Sequence, residues 1–210
     1  MSIGAPTPHG IPGVSIEEFY SIKKHGSNVF RLSFSSHTGT HFDSPNHLFE
    51  DGIKALDYKM EDLIFNKPFL IEHELLDSQL VYRPSLVNYE KEISRCDFLL
   101  IRCGWCKIRK TDKERYQNKC PGLSREVADY LSKFKNIRAI GADMLSFAAP
   151  EHIEEGVEAH RILMRNLPRI QLYEDLDLDY DLSSLQQLIS IPWIIDGSDS
   201  APCTLLGFLK

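Results

Sequence analysis

An α/β fold is predicted for this 210-residue chain by recurrent short apolar runs of strand length, two segments with helical apolar spacing, and a core-forming composition. With 42% hydrophobic and 26% charged residues against only 12 Gly and 11 Pro, a disordered or collagen-like polymer is excluded. The length suits one domain over residues 1–210. The sequence contains no internal repeat, low-complexity tract or interdomain linker.

Strands are predicted at 29–34, 68–76, 97–103, 138–141, 170–173, 191–195 and 204–209. In the first, Phe30, Leu32 and Phe34 alternate with Arg31 and Ser33, the pattern of a half-buried strand. The third holds the longest unbroken apolar run, Phe98 to Ile101. A helix follows at 124–134, where Val127, Tyr130, Leu131 and Phe134 share one face and Ser124 can cap the N-terminus. A second helix spans 151–167, with Ile153, Val157, His160, Met164 and Leu167 at helical spacing, so His160 points inward. The strand at 170–173 ends in Glu174.

Charge and targeting signals narrow the function class. The 24 basic residues face 30 acidic ones, a formal net charge of −6, and no block of five like charges occurs. Nucleic acid and anionic membranes are therefore excluded as expected partners. The opening MSIGAPTPHG has neither a basic region nor an apolar core of signal-peptide length, and the apolar runs fall far short of a bilayer span. Cys96, Cys103, Cys106, Cys120 and Cys203 are odd in number and widely spread, the usage of reduced thiols. A soluble cytoplasmic protein is expected.

The chemistry is concentrated in one segment. Of eight histidines, three fall within the eleven residues 37–47, where even spacing gives about 0.4. From His37, His41, Asp43 and His47 lie at offsets 4, 6 and 10, which a helix would split between two faces. In an extended chain these even offsets project from one side, with Gly39 leaving space among them. Pro45 opposes a helix here, and the segment lacks the His-Glu-x-x-His pattern of zincins. Neutral imidazoles with a carboxylate suit zinc, manganese or iron in a hydrolytic site. By spacing alone, His160 reads as a core histidine and Glu174 as a surface acid of the acidic stretch 174–181, ahead of any ligand role.

These residues carry a resemblance. His37-x-Gly39-Thr40-His41-x-Asp43-x-Pro45-x-His47 is similar, at each of its seven fixed positions, to the signature of the cyclase-family metal-dependent hydrolases, which include bacterial kynurenine formamidase and isatin hydrolase. Further blocks resemble the same family: Asp97 to Trp105, Pro121 to Ser124, Gly141-Ala142-Asp143, His160 to Leu163 and Glu174-Asp175-Leu176. The likeness runs from Arg31 to Leu176 and more weakly to Pro202. It implies a swivelling β/β/α domain, a mixed sheet with flanking helices, found as a homo-oligomer, dimer or tetramer.

The resemblance also implies roles. His37, His41 and Asp43 would bind one divalent metal, Asp43 would bridge, and His160 with Glu174 would complete a second site, giving two zinc or manganese ions per chain. His47 would be the catalytic acid/base. The implied reaction is hydrolysis of a C–N bond in a small linear or cyclic amide by metal-activated water, an aryl formamide such as N-formylkynurenine being the first candidate substrate. Phe42, Trp105 and Phe147 are candidate aromatic walls for it. Two other classes stay open: thiol-disulfide exchange at Cys103-Gly104-Trp105-Cys106, and metal binding without hydrolysis.

Overall fold

The computed structural model describes residues 4–210. Strands β1 (Ser15–Tyr20) and β2 (Val29–Ser33) form an antiparallel hairpin around the short helix α1 (Ile22–His25). Then come β3 (His41–Asp43), β4 (Ile64–Phe65), β5 (Pro68–Glu72), β6 (Leu80–Val81), α2 (Glu90–Ile93) and β7 (Phe98–Arg102). Helices α3 (Trp105–Thr111) and α4 (Lys113–Lys119) lead to β8 (Gly122–Leu123), α5 (Arg125–Leu131), β9 (Ala139–Ala142) and α6 (Ile153–Asn166). The chain ends with β10 (Gln171–Glu174), β11 (Leu185–Pro192) and β12 (Ser200–Leu209).

Eight strands make one mixed sheet in the order β4-β11-β12-β3-β10-β9-β7-β5. One half, β5, β7, β9 and β10, is parallel; from β10 through β3, β12, β11 and β4 every pair is antiparallel. The parallel half is covered on both faces, which is why β7 reads as a continuous apolar run. Leu99 and Ile101 face a core shared with α5 and α6, whereas Phe98 and Leu100 face a second core with Phe42, Phe65, Tyr173 and Leu188. There the Tyr173 ring lies 4.9 Å from Phe98 and 5.4 Å from Phe42. Such aromatic pairs add about 1 kcal/mol each beyond their burial.

The α/β expectation holds, with differences at particular elements. Ser124 caps α5 as expected, its Oγ accepting the Val127 N–H at 3.2 Å. The strand expected at 191–195 lies earlier, at Leu185–Pro192, because only alternate positions such as Leu188 and Ser190 face inward and the polar Gln186 and Gln187 before them mask the run. The strand at 29–34 exists as β2, yet it is exposed along its whole length instead of half-buried. Alternation reports a strand's period and not what covers it. Its partner β1 is equally exposed and lies outside the strands expected from the sequence. No helix among the described residues is long and apolar enough to cross a membrane.

Candidate metal centre

The centre is built where β3 meets β10. Their antiparallel register sets His41 opposite Glu174 and Asp43 opposite Leu172. Alternation puts His41 and Asp43 on one face and sends Phe42 through to the second core. His41 Nε2 lies 3.4 Å from both Asp43 Oδ1 and Glu174 Oε2.

Only His41–Asp43 is strand, so a single extended segment does not account for the cluster. His37 lies in a turn, and Gly39 has φ +67°, the left-handed region that a side chain disfavours. That bend returns His37 to the strand, with Nδ1 3.0 Å from Asp43 Oδ1, and leaves the Gly39 carbonyl to accept His41 Nδ1–H at 2.7 Å. Gly39 therefore supplies the turn conformation that brings His37 back. His47 lies on a 3-10 turn, Pro45–His47, opened by Pro45, whose fixed φ suits a first helical position.

His160 arrives from α6. Its Nδ1–H donates to the Gly156 carbonyl at 2.7 Å, and Nε2 lies 3.2 Å from Glu174 Oε1 and 3.8 Å from Asp43 Oδ2. Gly156 permits this approach, since a Cβ there would sit 2.2 Å from the Ala148 backbone. Glu174 Oε1 also accepts from the Phe147 backbone N–H at 2.7 Å and from Ser146 Oγ–H at 3.1 Å.

One residue of the cluster had no signal in the sequence. Asp199, 152 positions from His47, accepts through the same Oδ2 from His47 Nδ1–H at 2.8 Å and His37 Nε2–H at 3.0 Å. Its Oδ1 accepts from Ser36 Oγ–H at 3.2 Å, and its carbonyl accepts from Ser44 Oγ–H at 2.6 Å. It sits in the polar turn Asp196-Gly197-Ser198-Asp199, which resembles any surface loop.

The donor chemistry fits metal ions. Carbonyl and carboxylate oxygens only accept, so Gly39, Gly156 and Asp199 fix the proton on the far nitrogen of His41, His160 and His37 respectively. Each ring is left with its other nitrogen turned to the carboxylates, the arrangement in which an outer acceptor orients a ligating histidine. Among the described residues, His41 Nε2 and Asp43 Oδ1 are buried without a hydrogen-bond partner. The potential ligand atoms of His37, His41 and Asp43, and of Asp43, His160 and Glu174, form two groups that share Asp43. His37, His47 and Asp199 form a third, outer group.

Electrostatics shows what an ion would displace. Burial lowers the His37 pKa, but Asp43 and Asp199 outweigh it and raise the group to about 9. Burial likewise opposes charge on His41 and His160, while Asp43 and Glu174 raise both. Burial and the neighbouring Asp43 charge would raise Glu174, yet His160 and His41 hold it down at about 2. Protons thus occupy the place of cations, and metal uptake should release protons and strengthen as pH rises. The metal-free fold should show the opposite trend. The His37 contribution is full below its ordinary value of 6.5 and lost as pH climbs through about 9, while that of Glu174 holds above 4.5 and is lost as pH falls through about 2. Thermal unfolding of chelator-treated protein from about pH 6 to about pH 10 should show a falling Tm, and a flat or rising one would contradict this account.

Two candidate walls belong elsewhere. Phe42 lies in the second core, and Trp105 is buried with its Nε1–H on the Leu75 carbonyl at 2.9 Å. Phe147 is buried too, but its ring centre is 5.8 Å from that of His160. Cys103 and Cys106 are both buried; burial and then Asp143 push the Cys106 thiol up to about 12 and the Cys103 thiol well up. Neither is a reactive thiolate, so the Cys-x-x-Cys spacing gives no support to a redox role.

Comparison with known proteins places the chain in a family. The family described as "Putative cyclase" matches residues 4–149. Kynurenine formamidase of Bacillus mycoides (strain KBAB4) is 30% identical over 189 residues, covering 90% of this chain and 84% of that protein. Cyclase-like protein 1 of Arabidopsis thaliana is 28% identical over 190 residues, 87% of this chain and 72% of the relative. Among solved structures, isatin hydrolase A from Ralstonia solanacearum superposes with a TM-score of 0.79 at 18% identity, over 100% of this chain and 89% of that one. Isatin hydrolase A from Labrenzia aggregata gives 0.77 at 20% identity, over 95% and 85%. The sequence match over most of the chain and the shared fold together show that this chain belongs to the cyclase family.

Proposed function

We propose that this chain is a metal-dependent amidohydrolase that cleaves the C–N bond of a small linear or cyclic amide, with an aryl formamide such as N-formylkynurenine as the first substrate to test. The observation that carries the reading is the pair of donor groups sharing Asp43, with His41 Nε2 and Asp43 Oδ1 buried and unpartnered beside an oriented His47. The kynurenine formamidase relatives support an amide in place of an ester or a phosphate.

In this reading His37, His41 and Asp43 hold one divalent ion, and Asp43, His160 and Glu174 a second, zinc or manganese. Bound there, such ions supply Lewis acidity towards a carbonyl and a water acidified towards neutral pH. The chain's own residues do the rest. Ser146 and the Phe147 N–H fix Glu174, and Gly39 and Gly156 fix two imidazoles, so the ligand set is organised before substrate arrives. His47 has Nδ1–H committed to Asp199, which leaves Nε2 to accept a proton and then hand it to the departing amine. An amine leaves poorly without that proton. His47 is about one-third exposed at its side chain, as is Asp199, whereas the other donors are largely buried, so substrate enters from the His47 side.

The reading includes a homo-oligomer. Two-stranded hairpins are marginal alone in water, yet the β1–β2 hairpin exposes Ile16, Phe19, Phe30 and Leu32. A dimer or tetramer that covers it is expected by light scattering. The five unpaired cysteines suit a cytoplasmic setting.

The test is elemental analysis of protein purified without chelator, paired with turnover of N-formylkynurenine. About two equivalents of transition metal and metal-dependent turnover are expected. Below roughly half an equivalent per chain, unrecovered by reconstitution, the metal reading is wrong. Stoichiometric metal without hydrolysis of any amide or lactam would instead favour a non-catalytic metal protein.

A further inference from the structure

Asp175, directly after Glu174, has φ +53°, a left-handed conformation uncommon for non-glycine residues although Asp and Asn enter it more readily than others. The surroundings are extensive. Its carboxylate is 2% exposed and takes a two-pronged bond from Arg109 of α3, Nε to Oδ1 at 2.5 Å and the terminal nitrogen to Oδ2 at 2.8 Å. Tyr116 of α4 adds its hydroxyl to Oδ1 at 2.7 Å. The Asp175 N–H donates to the Met144 carbonyl at 2.6 Å.

Its carbonyl accepts the Thr40 hydroxyl at 2.7 Å, and Thr40 immediately precedes His41. One residue thus fastens the end of β10, which carries Glu174, to the start of β3, which carries His41, and both to the α3–α4 pair. A buried forked ion pair is costly to desolvate, and hydrophobic residues of similar volume often stabilise a fold equally well. Specific geometry is what the fork adds.

We propose that Asp175 is a positioning residue: clamped by Arg109 and Tyr116, it sets the spacing between the His41 and Glu174 ends of the two strands and thereby the affinity for metal. This rests on the metal-hydrolase reading of the site. The clamp touches neither substrate nor ion and acts through Thr40 and Glu174.

The test measures zinc affinity by chelator competition on folded wild type, Asp175→Asn, Thr40→Val and the double variant, with circular dichroism as the check on folding. Asn tolerates the left-handed conformation but cannot hold the Arg109 charge. Thr40→Val leaves the fork intact and removes only the bond to β3, so it tests the clamp even if Asp175→Asn fails to fold. Each single variant should bind zinc 10- to 100-fold more weakly, the range for loss of a partner outside the ligand set. The double variant should lose less than the product of the two, because both act through one linkage. A merely structural role would lower the Tm of the metal-free chain and leave the affinity of folded protein within twofold of wild type, which would overturn the proposal. A wild-type chain that binds no zinc would overturn both this proposal and the reading beneath it.

Discussion

Replacing Asp43 with Ala should leave a folded chain that holds neither metal and turns over no amide. Asp43 is the member common to both donor groups, with Oδ1 at 3.0 Å from His37 Nδ1 and 3.4 Å from His41 Nε2, and Oδ2 at 3.8 Å from His160 Nε2. Its removal takes one ligand from each site and one of the charges that raise His37 and His41, leaving Asp199 beside the first and Glu174 beside the second. Burial then pulls both imidazoles towards neutrality, and a remaining carboxylate faces each, so the fold is not left with unpaired buried cations. The metal content should fall from about two equivalents to below about half of one. The accompanying loss in kcat/KM should be about 1000-fold or more, roughly 4 kcal/mol of transition-state stabilisation. Asp43→Asn keeps the shape and one acceptor and should retain a partial, weakened site. If Asp43→Ala kept both ions, Asp43 would not be shared and the two-site reading would fail.

How far the sequence foretold this arrangement depended on the range of the contacts. The segment from His37 to His47 announced itself because its residues are close in the chain and their density is improbable. Extended geometry nevertheless groups only part of the set. An extended chain explains His41 and Asp43, but His37 reaches the cluster through the Gly39 bend and His47 through a 3-10 turn. His160 was placed inward by the helical period of 151–167, and α6 buries it as that period requires. Glu174 was a strand-end acid with no spacing argument to distinguish it from its acidic neighbours; only the family blocks raised it. Asp199 had neither, because its role arises from β12 pairing with β3, Ser200 opposite Asp43, a contact between strands some 160 positions apart. The β1–β2 hairpin fails differently: its apolar residues alternate as a core strand's would, but among the described residues no element covers them.

Removing the His47 ring should separate chemistry from metal binding. His47→Ala is expected to keep its full metal content, because His47 Nδ1 faces Asp199 and no bond joins it to Asp43 or Glu174. Loss of a positioned general acid/base lowers kcat by about 10²- to 10⁴-fold. KM should change little, since the groups that would receive the carbonyl remain. Asp199→Asn should behave otherwise, because Oδ2 of Asp199 orients both His47 and His37. An amide can present a donor where both rings need an acceptor. That variant should therefore lose about 10- to 100-fold in kcat and also bind metal more weakly through His37. The contrast is diagnostic: a His47→Ala protein that loses metal would make His47 a ligand, consistent with the outer group it forms with His37 and Asp199. A His47→Ala protein with wild-type kcat would leave the leaving-group proton to another residue and withdraw the acid/base role from His47.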